Sequence, residues 1–439
     1  MHRSWRLLVC ILAVLLASQL FAQSGGRGAF SAEQVNSVYP EVQALYVDLH
    51  RNPELGFQEK QTSAKLAERL RGFGYEVTTG VGGTGVVGVM KNGSGPTVML
   101  RADMDALPIL EKTGLPYAST VTAKNAAGVV VPVMHACGHD THVSSLVGTA
   151  KLMAQNRQRW HGTLVLIGQP AEEIVQGANA MLKDGLYTRF PRPDFALALH
   201  DSQVLPTGQI GTRAGYYMSA NDSVYITIFG RGGHGAKPQV TIDPIVIAAR
   251  TVLALQTLVS RENDPLEMAV ITVGSLHAGS APNIIADEAK LELTVRSFNP
   301  QVRKKLLAGI ERVVKAEALA AAAPREPQIR VEPGADALYN NPELTSRMVA
   351  KLKQTLGPQN VTELPPNTAS EDFAQYGTPG VPSLMLHFGA ANPEKWAAAQ
   401  KIGQTIPGTH TPFWAPEQES LKTAIMAETA MLLDLLGGK

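Results

Sequence analysis

The 439-residue chain holds only two cysteines, Cys10 and Cys137, too few for a disulfide scaffold. Neither charge is in excess: Lys and Arg number 39 against 38 Asp and Glu. Electrostatics therefore gives no reason to expect a nucleic-acid partner or an anionic membrane surface. Internal repeats are absent, and the one biased tract is the alanine-rich "EALAAAA" around residue 320, which argues against solenoids and low-complexity chains. What is present, 44% hydrophobic and 18% charged residues, describes a soluble globular protein with a sizeable core. The length calls for two domains.

Arg3 and Arg6 precede the apolar run "LLVCILAVLLASQLFA", which gives way to polar "QSGGRG". A basic start, a short apolar stretch and the small residue Ala22 read as a secretory signal (residues 1–22) cleaved before Gln23. The mature protein is then expected in the periplasm or outside the cell, with no membrane span; the alternative is an uncleaved N-terminal anchor. Once Cys10 leaves with the signal, Cys137 is the only thiol of the mature chain. It can form no internal disulfide, even in an oxidising compartment.

Helix and strand patterns alternate beyond the signal. "AEQVNSVYPEVQALYVDLHRNPE" and "QTSAKLAERLRGFG" carry helical periodicity, while "TGVVGVMK" and "TVMLRAD" read as strands joined by the turn "NGSG". A helix over 143–154, capped by Asp140 or Thr141, is followed by buried strands "GTLVLIGQP" and "DFALALHD". Short apolar strands between helices predict an α/β sheet covered on both faces, over residues 23–214 and again over 332–439. The segment 215–331 has the order β-α-β-β-α-β, from "DSVYITIFG" to "PQIRVEPG", expected of an inserted ferredoxin-like domain.

Chemistry-bearing residues collect at strand ends and loops. "HACGHDTH" sets Cys137 and His139 two residues apart, a thiolate and an imidazole suited to zinc or to manganese, iron, cobalt or nickel; local packing and helix capping would explain the same residues without a metal. "QPAEE" places Glu172 and Glu173 just beyond a buried strand, where open α/β sheets hold their sites. One of two adjacent carboxylates can bind metal while the other moves a proton, or both can be solvated acids opening a helix. His200 ends the strand "ALALHD" and His410 lies in the loop "GTHTPFW". His387, inside the strand "LMLHFG", is expected to pack rather than ligate. In "TASEDF", Thr368 and Glu371 have the spacing of a capping box.

Together "HRNPELGFQE", "RADMDALP", "HACGHDTH", "QPAEE", "GGHGAKP" and "SEDF" resemble the signature segments of the M20 aminoacylase and carboxypeptidase family of binuclear metallopeptidases. The match is to its amidohydrolase branch, which includes hippurate and auxin-conjugate hydrolases, and it runs from about His50 to the C-terminus. The resemblance implies a metal-dependent exopeptidase-like α/β domain with a ferredoxin-like lid that also forms a dimer. It implies two divalent ions held by Cys137, His139, Glu173, His200 and His410, with the Cys137 thiolate bridging them. Glu172 would be the general base on the shared water. His234 would reach the neighbouring subunit's site to stabilise the oxyanion, and Asn283 and Arg296 would hold the substrate carboxylate. Asp103 and Asp105 would support the ligands from behind. Two departures stand out: the segment 117–133 is longer than usual, and His410 lies in an unusual context.

The expected activity is hydrolysis of the amide bond of N-acyl amino acids, with manganese or zinc foremost and cobalt or nickel also suitable. A metallodipeptidase or carboxypeptidase of the same family would meet the same amide and carboxylate. A non-catalytic metal-dependent periplasmic binding protein would need the ligands and Arg296, but would have no use for Glu172 beside Glu173.

Overall fold

The computed structural model describes residues 29–437; the expected signal and Cys10 lie outside them. Helices α1 (Ala32–Arg51) and α2 (Lys60–Gly72) lead into an eight-stranded mixed sheet. In chain order its strands are β1 (Glu76–Val81), β2 (Gly85–Asn92), β3 (Thr97–Asp103), β4 (Gly162–Gln169), β5 (Phe195–Pro206) and β6 (Ile210–Thr212), then β11 (Val361–Glu363) and β12 (Ser383–Ala391). The spatial order is β1-β2-β4-β3-β5-β12-β6-β11, with β3, β4, β5 and β12 mutually parallel at the centre.

The central strands are apolar on both sides, as parallel strands buried between two helical layers must be. Leu164 and Leu166 of β4 join the core formed with α1, α3 (His139–Gln155) and α7 (Ser420–Leu436), while Val165 and Ile167 join the opposite core. The same alternation sorts Leu197 and Leu199 from Ala196 and Ala198 in β5, and Leu384 and Leu386 from Met385 in β12. Parity along each strand thus decides which face a residue serves.

Between β6 and β11 the chain builds a second unit with its own core. Strands β7 (Ala220–Phe229), β8 (Ala269–Ala278), β9 (Glu288–Ser297) and β10 (Gln328–Pro333) form an antiparallel sheet in the order β8-β9-β7-β10, packed on α4 (Pro244–Thr257) and α5 (Pro300–Ala320). This is the ferredoxin-like order, and the α/β fold with an inserted lid is the one expected. Helix α6 (Pro342–Leu356) returns the chain to the large sheet. The stretch Pro244–Glu262 is long and apolar enough to cross a membrane by length and composition, yet Ile247, Ala248, Leu255 and Leu258 bury one face of it in the lid core.

Candidate metal centre

Every central strand delivers a polar residue to the face opposite α1, α3 and α7, at the C-terminal end of β3 and β4 and mid-strand in β5 and β12. Arg101 and Asp103 share the parity of Met99 in β3, Gln169 that of Val165 in β4, His200 that of Ala198 in β5, and His387 that of Met385 in β12. The bend after β4 then carries Glu172 and Glu173 over the same strand ends, with Ala171 at φ 52° and Val175 at φ 56° turning the backbone. Asp105 fixes that bend: its two carboxylate oxygens accept from the Glu172 and Glu173 amides, each at 3.0 Å.

Helix α3 begins at His139, earlier than the expected 143, and neither Asp140 nor Thr141 caps it. Gly138 precedes it at φ 75°, and a Cβ there would meet the Asp201 carboxylate at 2.5–2.6 Å. This glycine lets Cys137 and His139 turn toward one point while the backbone approaches Asp201. Asp140 instead binds His50 Nδ1 at 2.6 Å, in a buried group completed by Glu111.

Cys137 Sγ lies 3.5 Å from His200 Nε2, and Cys137, His139 and Glu173 offer ligand atoms within 4.8 Å of one another. His139 Nε2 is 3.9 Å from Glu173 Oε1, and His410 Nε2 is 3.4 Å from Glu173 Oε2. His200 Nδ1 is bound to the Asp201 carbonyl at 2.8 Å; a carbonyl only accepts, so Nδ1 carries the proton and Nε2 presents its lone pair to Cys137. The expected metal-ligand residues therefore converge.

Asp103, His139, His142 and His200 also form a tight group, but His142 has no lone pair to give. Its Nε2 accepts from the Asp201 amide at 2.9 Å and its Nδ1 meets Asp103 at 2.5 Å, so it is a bracket between two strands. Sequence reasoning gave His142 no role; its partners lie 39 and 59 residues away in the chain.

Two observations fit this site to cations. Both ring nitrogens of buried His139 and Oε1 of Glu173 lack hydrogen-bond partners, a costly state for buried polar atoms. Asp103, Asp105, Glu172, Asp201, Glu371 and Asp372 are all buried here, six carboxyl groups gathered around the single guanidinium of Arg101. Burial pushes the Glu173 carboxyl up to about 7 against the pull of His139. Burial, with Glu173, Asp201 and Glu172 nearby, raises the Cys137 thiol well above its ordinary range. Divalent ions would reverse both shifts and release protons on binding.

Glu172 forms a second carboxylate group with Glu371 and Asp372. Burial raises its pKa, Glu371, Glu173 and Asp372 add to the shift, and Arg101 opposes it. The Arg101 guanidinium binds Asp103 at 2.6 Å, Glu371 at 2.7 Å and Asp372 at 3.2 Å. Glu371 is thus an ion-pair partner, which corrects the expected capping box. The nearby helix begins at Ala374, has Phe373 as its N-cap, and receives no side-chain cap from Thr368.

A cleft of about 780 Å³ opens above these residues, and Arg296 of β9 lines it with Cys137, Glu172, His200 and His410. Arg296 donates to the Thr368 carbonyl at 2.8 Å and to Ser370 Oγ at 3.0 Å. His234 and Asn283 are not in the cleft. They lie on an exposed two-stranded patch of the lid, where His234 pairs with Ile284 and the Gly235 amide donates to the Asn283 carbonyl. His387 does line the cleft, which corrects the expectation of a simple packing role. The long segment 117–133 forms a small hairpin (122–124 with 130–132) against Leu55 and Ala106, away from the cleft.

Residues 99–402 match the model of "Peptidase family M20/M25/M40". The chain is similar to a hippurate hydrolase of Campylobacter jejuni, 40% identical over 335 residues, 76% of this chain and 84% of that one. It is also similar to thermostable carboxypeptidase 2 of Saccharolobus solfataricus, 35% identical over 389 residues, covering 88% and 93% of the two chains. Among solved structures, the YXEP protein of Bacillus subtilis, described as a dinuclear metal-binding peptidase from the M20 family, superposes with a TM-score of 0.73 at 28% identity, covering 91% of this chain and 99% of that one.

Proposed function

The chain belongs to peptidase family M20/M25/M40, and from that premise we propose a binuclear metal-dependent amidohydrolase that cleaves the amide bond of N-acyl amino acids. One observation carries the reading. The five candidate ligands converge beneath a cleft that also holds a second glutamate, Glu172, and a guanidinium, Arg296. In this reading Cys137, His139, Glu173, His200 and His410 would hold two divalent ions. Nitrogen, sulfur and oxygen donors together suit manganese or zinc, and also cobalt or nickel. Bound there, the ions would polarise the scissile carbonyl and lower the pKa of water toward about 7.

The chain's own groups perform the rest. Glu172, anchored through its amide by Asp105, takes a proton from the attacking water and passes it to the leaving amine. Arg296 pairs with the substrate carboxylate, where a planar fork of donors suits two oxygens. His234 and Asn283 sit together on the exposed lid patch, outside their own cleft. We assign them to the site of a partner subunit in a homodimer, with His234 donating to the oxyanion and Asn283 joining Arg296. Mixing inactive His234→Ala and Glu172→Gln proteins under subunit exchange should restore roughly a quarter of wild-type activity; no recovery in verified mixed dimers would refute the shared site.

A dipeptidase or carboxypeptidase activity is the second reading, favoured by the similarity to thermostable carboxypeptidase 2. A non-catalytic periplasmic binder gives no account of Glu172. The periplasm or cell exterior is the proposed location, on the strength of the N-terminal sequence. A panel of N-acyl amino acids and dipeptides offered to metal-reconstituted protein tests the reading; faster turnover of the dipeptides would overturn it in favour of the second.

A further inference from the structure

His387 occupies an unusual position for a polar side chain. It lies in the middle of β12, where Leu384, Met385, Leu386 and Phe388 are all fully buried, so packing alone would be met by an apolar residue and burial of an imidazole carries a cost. It pairs in register with His200 on the neighbouring parallel strand. Paired residues of adjacent strands share a face, and the two rings stand 5.6 Å apart, centroid to centroid. His387 therefore lines the same cleft as the candidate ligands, but it is in none of the groups whose ligand atoms converge.

Its orientation is fixed from behind. The Tyr217 hydroxyl contacts His387 Nδ1, and the two rings meet edge to face at 5.1 Å. Tyr217 is 1% exposed, and its hydroxyl has no other side-chain or backbone partner among the described residues. The phenol proton is satisfied only by donation to Nδ1, which leaves the imidazole proton on Nε2. That nitrogen has no protein acceptor among the described residues and is not among the sealed, unpartnered atoms. It is a donor that faces the cleft.

We propose that His387, oriented by the positioning residue Tyr217, contacts substrate directly, donating from Nε2 to the acyl carbonyl oxygen of the bound amide, whose second lone pair remains open to His234. Arg296, on the lid side of the cleft, is left to the carboxylate half. The inference rests on the N-acyl amino acid reading above. It predicts that discrimination in favour of acylated over free amino acids depends on this histidine, because a buried donor left unpaired rejects a ligand that lacks the matching acceptor.

The test uses metal-loaded full-length protein and three variants: His387→Phe, His387→Gln and Tyr217→Phe. For wild type and variants, kcat and KM are measured with an N-acetyl amino acid, and Ki with the corresponding free amino acid. Calorimetry in a Glu172→Gln background gives the affinity for the N-acetyl compound without turnover. His387→Phe should lower kcat/KM and the calorimetric affinity for the acylated compound by about 10-fold, the scale of one hydrogen bond. Free amino acid Ki and metal stoichiometry should be unchanged. His387→Gln, which keeps a donor, should recover most of the loss, and Tyr217→Phe should lose less than His387→Phe. Unchanged values in His387→Phe, an equal loss for the free amino acid, or loss of bound metal would each overturn the proposal. If wild type turns over no N-acyl amino acid, the functional reading fails; the contact itself is still judged by the calorimetric difference.

Discussion

Arg101 is where the site's electrostatics can be tested most severely. The side chain is 2% exposed and its guanidinium is shared by Asp103, Glu371 and Asp372. Arg101→Met keeps much of the volume and removes the charge, leaving these carboxylates with no cation between them. Stranding buried charge by removing its partner costs about 3–5 kcal/mol, a large share of a typical folding free energy. The remedy open to the variant is proton uptake. Burial already holds the Asp372 carboxyl up to about 8 against the pull of Arg101, whereas an unfolded aspartate titrates near about 4. The wild type shares that shift, so the difference between the two proteins opens at a carboxyl that Arg101 keeps ionised: against the cost of burial, Arg101 and then His139 and His142 hold Asp103 well below the ordinary carboxylate range. Without Arg101, Asp103 must hold a proton to stay comfortably buried, so the deficit of the variant grows as pH rises above about 4. Urea unfolding of chelator-treated wild type and variant, followed by tryptophan fluorescence at pH 5 and pH 8, measures both. A deficit below about 1 kcal/mol at pH 8, or one no smaller at pH 5, would refute the reasoning.

Asp105→Asn replaces one of the two acceptors that hold the Glu172 and Glu173 amides with a donor, and should lower metal affinity or kcat/KM by about 10- to 100-fold with little loss of fold, as measured by metal titration and kinetics. In metal-free protein the Cys137 thiol is held protonated by burial and nearby carboxylates, so its alkylation rate should climb steadily from pH 7 to 9. Metal-loaded protein should react slowly without that slope, and equal rates in the two forms would remove Cys137 from the ligand set. Burial opposes charge on His50, but Asp140 and Glu111 outweigh it and raise its pKa to about 9. Its stabilisation, at most about 3 kcal/mol, is therefore full below about pH 6.5 and lost as pH rises through about 9, and His50→Gln should flatten the wild-type stability profile across that window.

Much of this site is legible in the sequence because strand parity and strand ends decide it. The run "TVMLRAD" places Arg101 and Asp103 on one face with Met99, and "ALALHD" and "LMLHFG" do the same for His200 and His387. The doublet Glu172–Glu173 announces itself by its position after a strand. What stays hidden depends on partners distant in the chain. Glu371 lies 270 residues from Arg101, and in isolation its spacing from Thr368 imitates a helix cap. Helix α7 escapes pattern reading because it is buried nearly all round, with Ser420, Thr429 and Glu428 as well as its leucines inside. An amphipathic stripe is the signal that identifies a surface helix, and α7 has none. Glu428 is accommodated by Ser145 and Thr149 of α3 at 2.9 Å and 2.5 Å, contacts no local pattern foretells.

The division of labour between adjacent glutamates is the centre of this account, and paired substitutions test it directly. Metal content by elemental analysis and turnover of an N-acyl amino acid are measured for Glu172→Gln and Glu173→Gln. Glu172→Gln is predicted to keep close to wild-type metal while kcat falls by roughly 100-fold or more, the scale of lost acid–base catalysis, whereas Glu173→Gln should lose bound metal. Near-normal turnover in Glu172→Gln, or full metal occupancy in Glu173→Gln, would contradict the account.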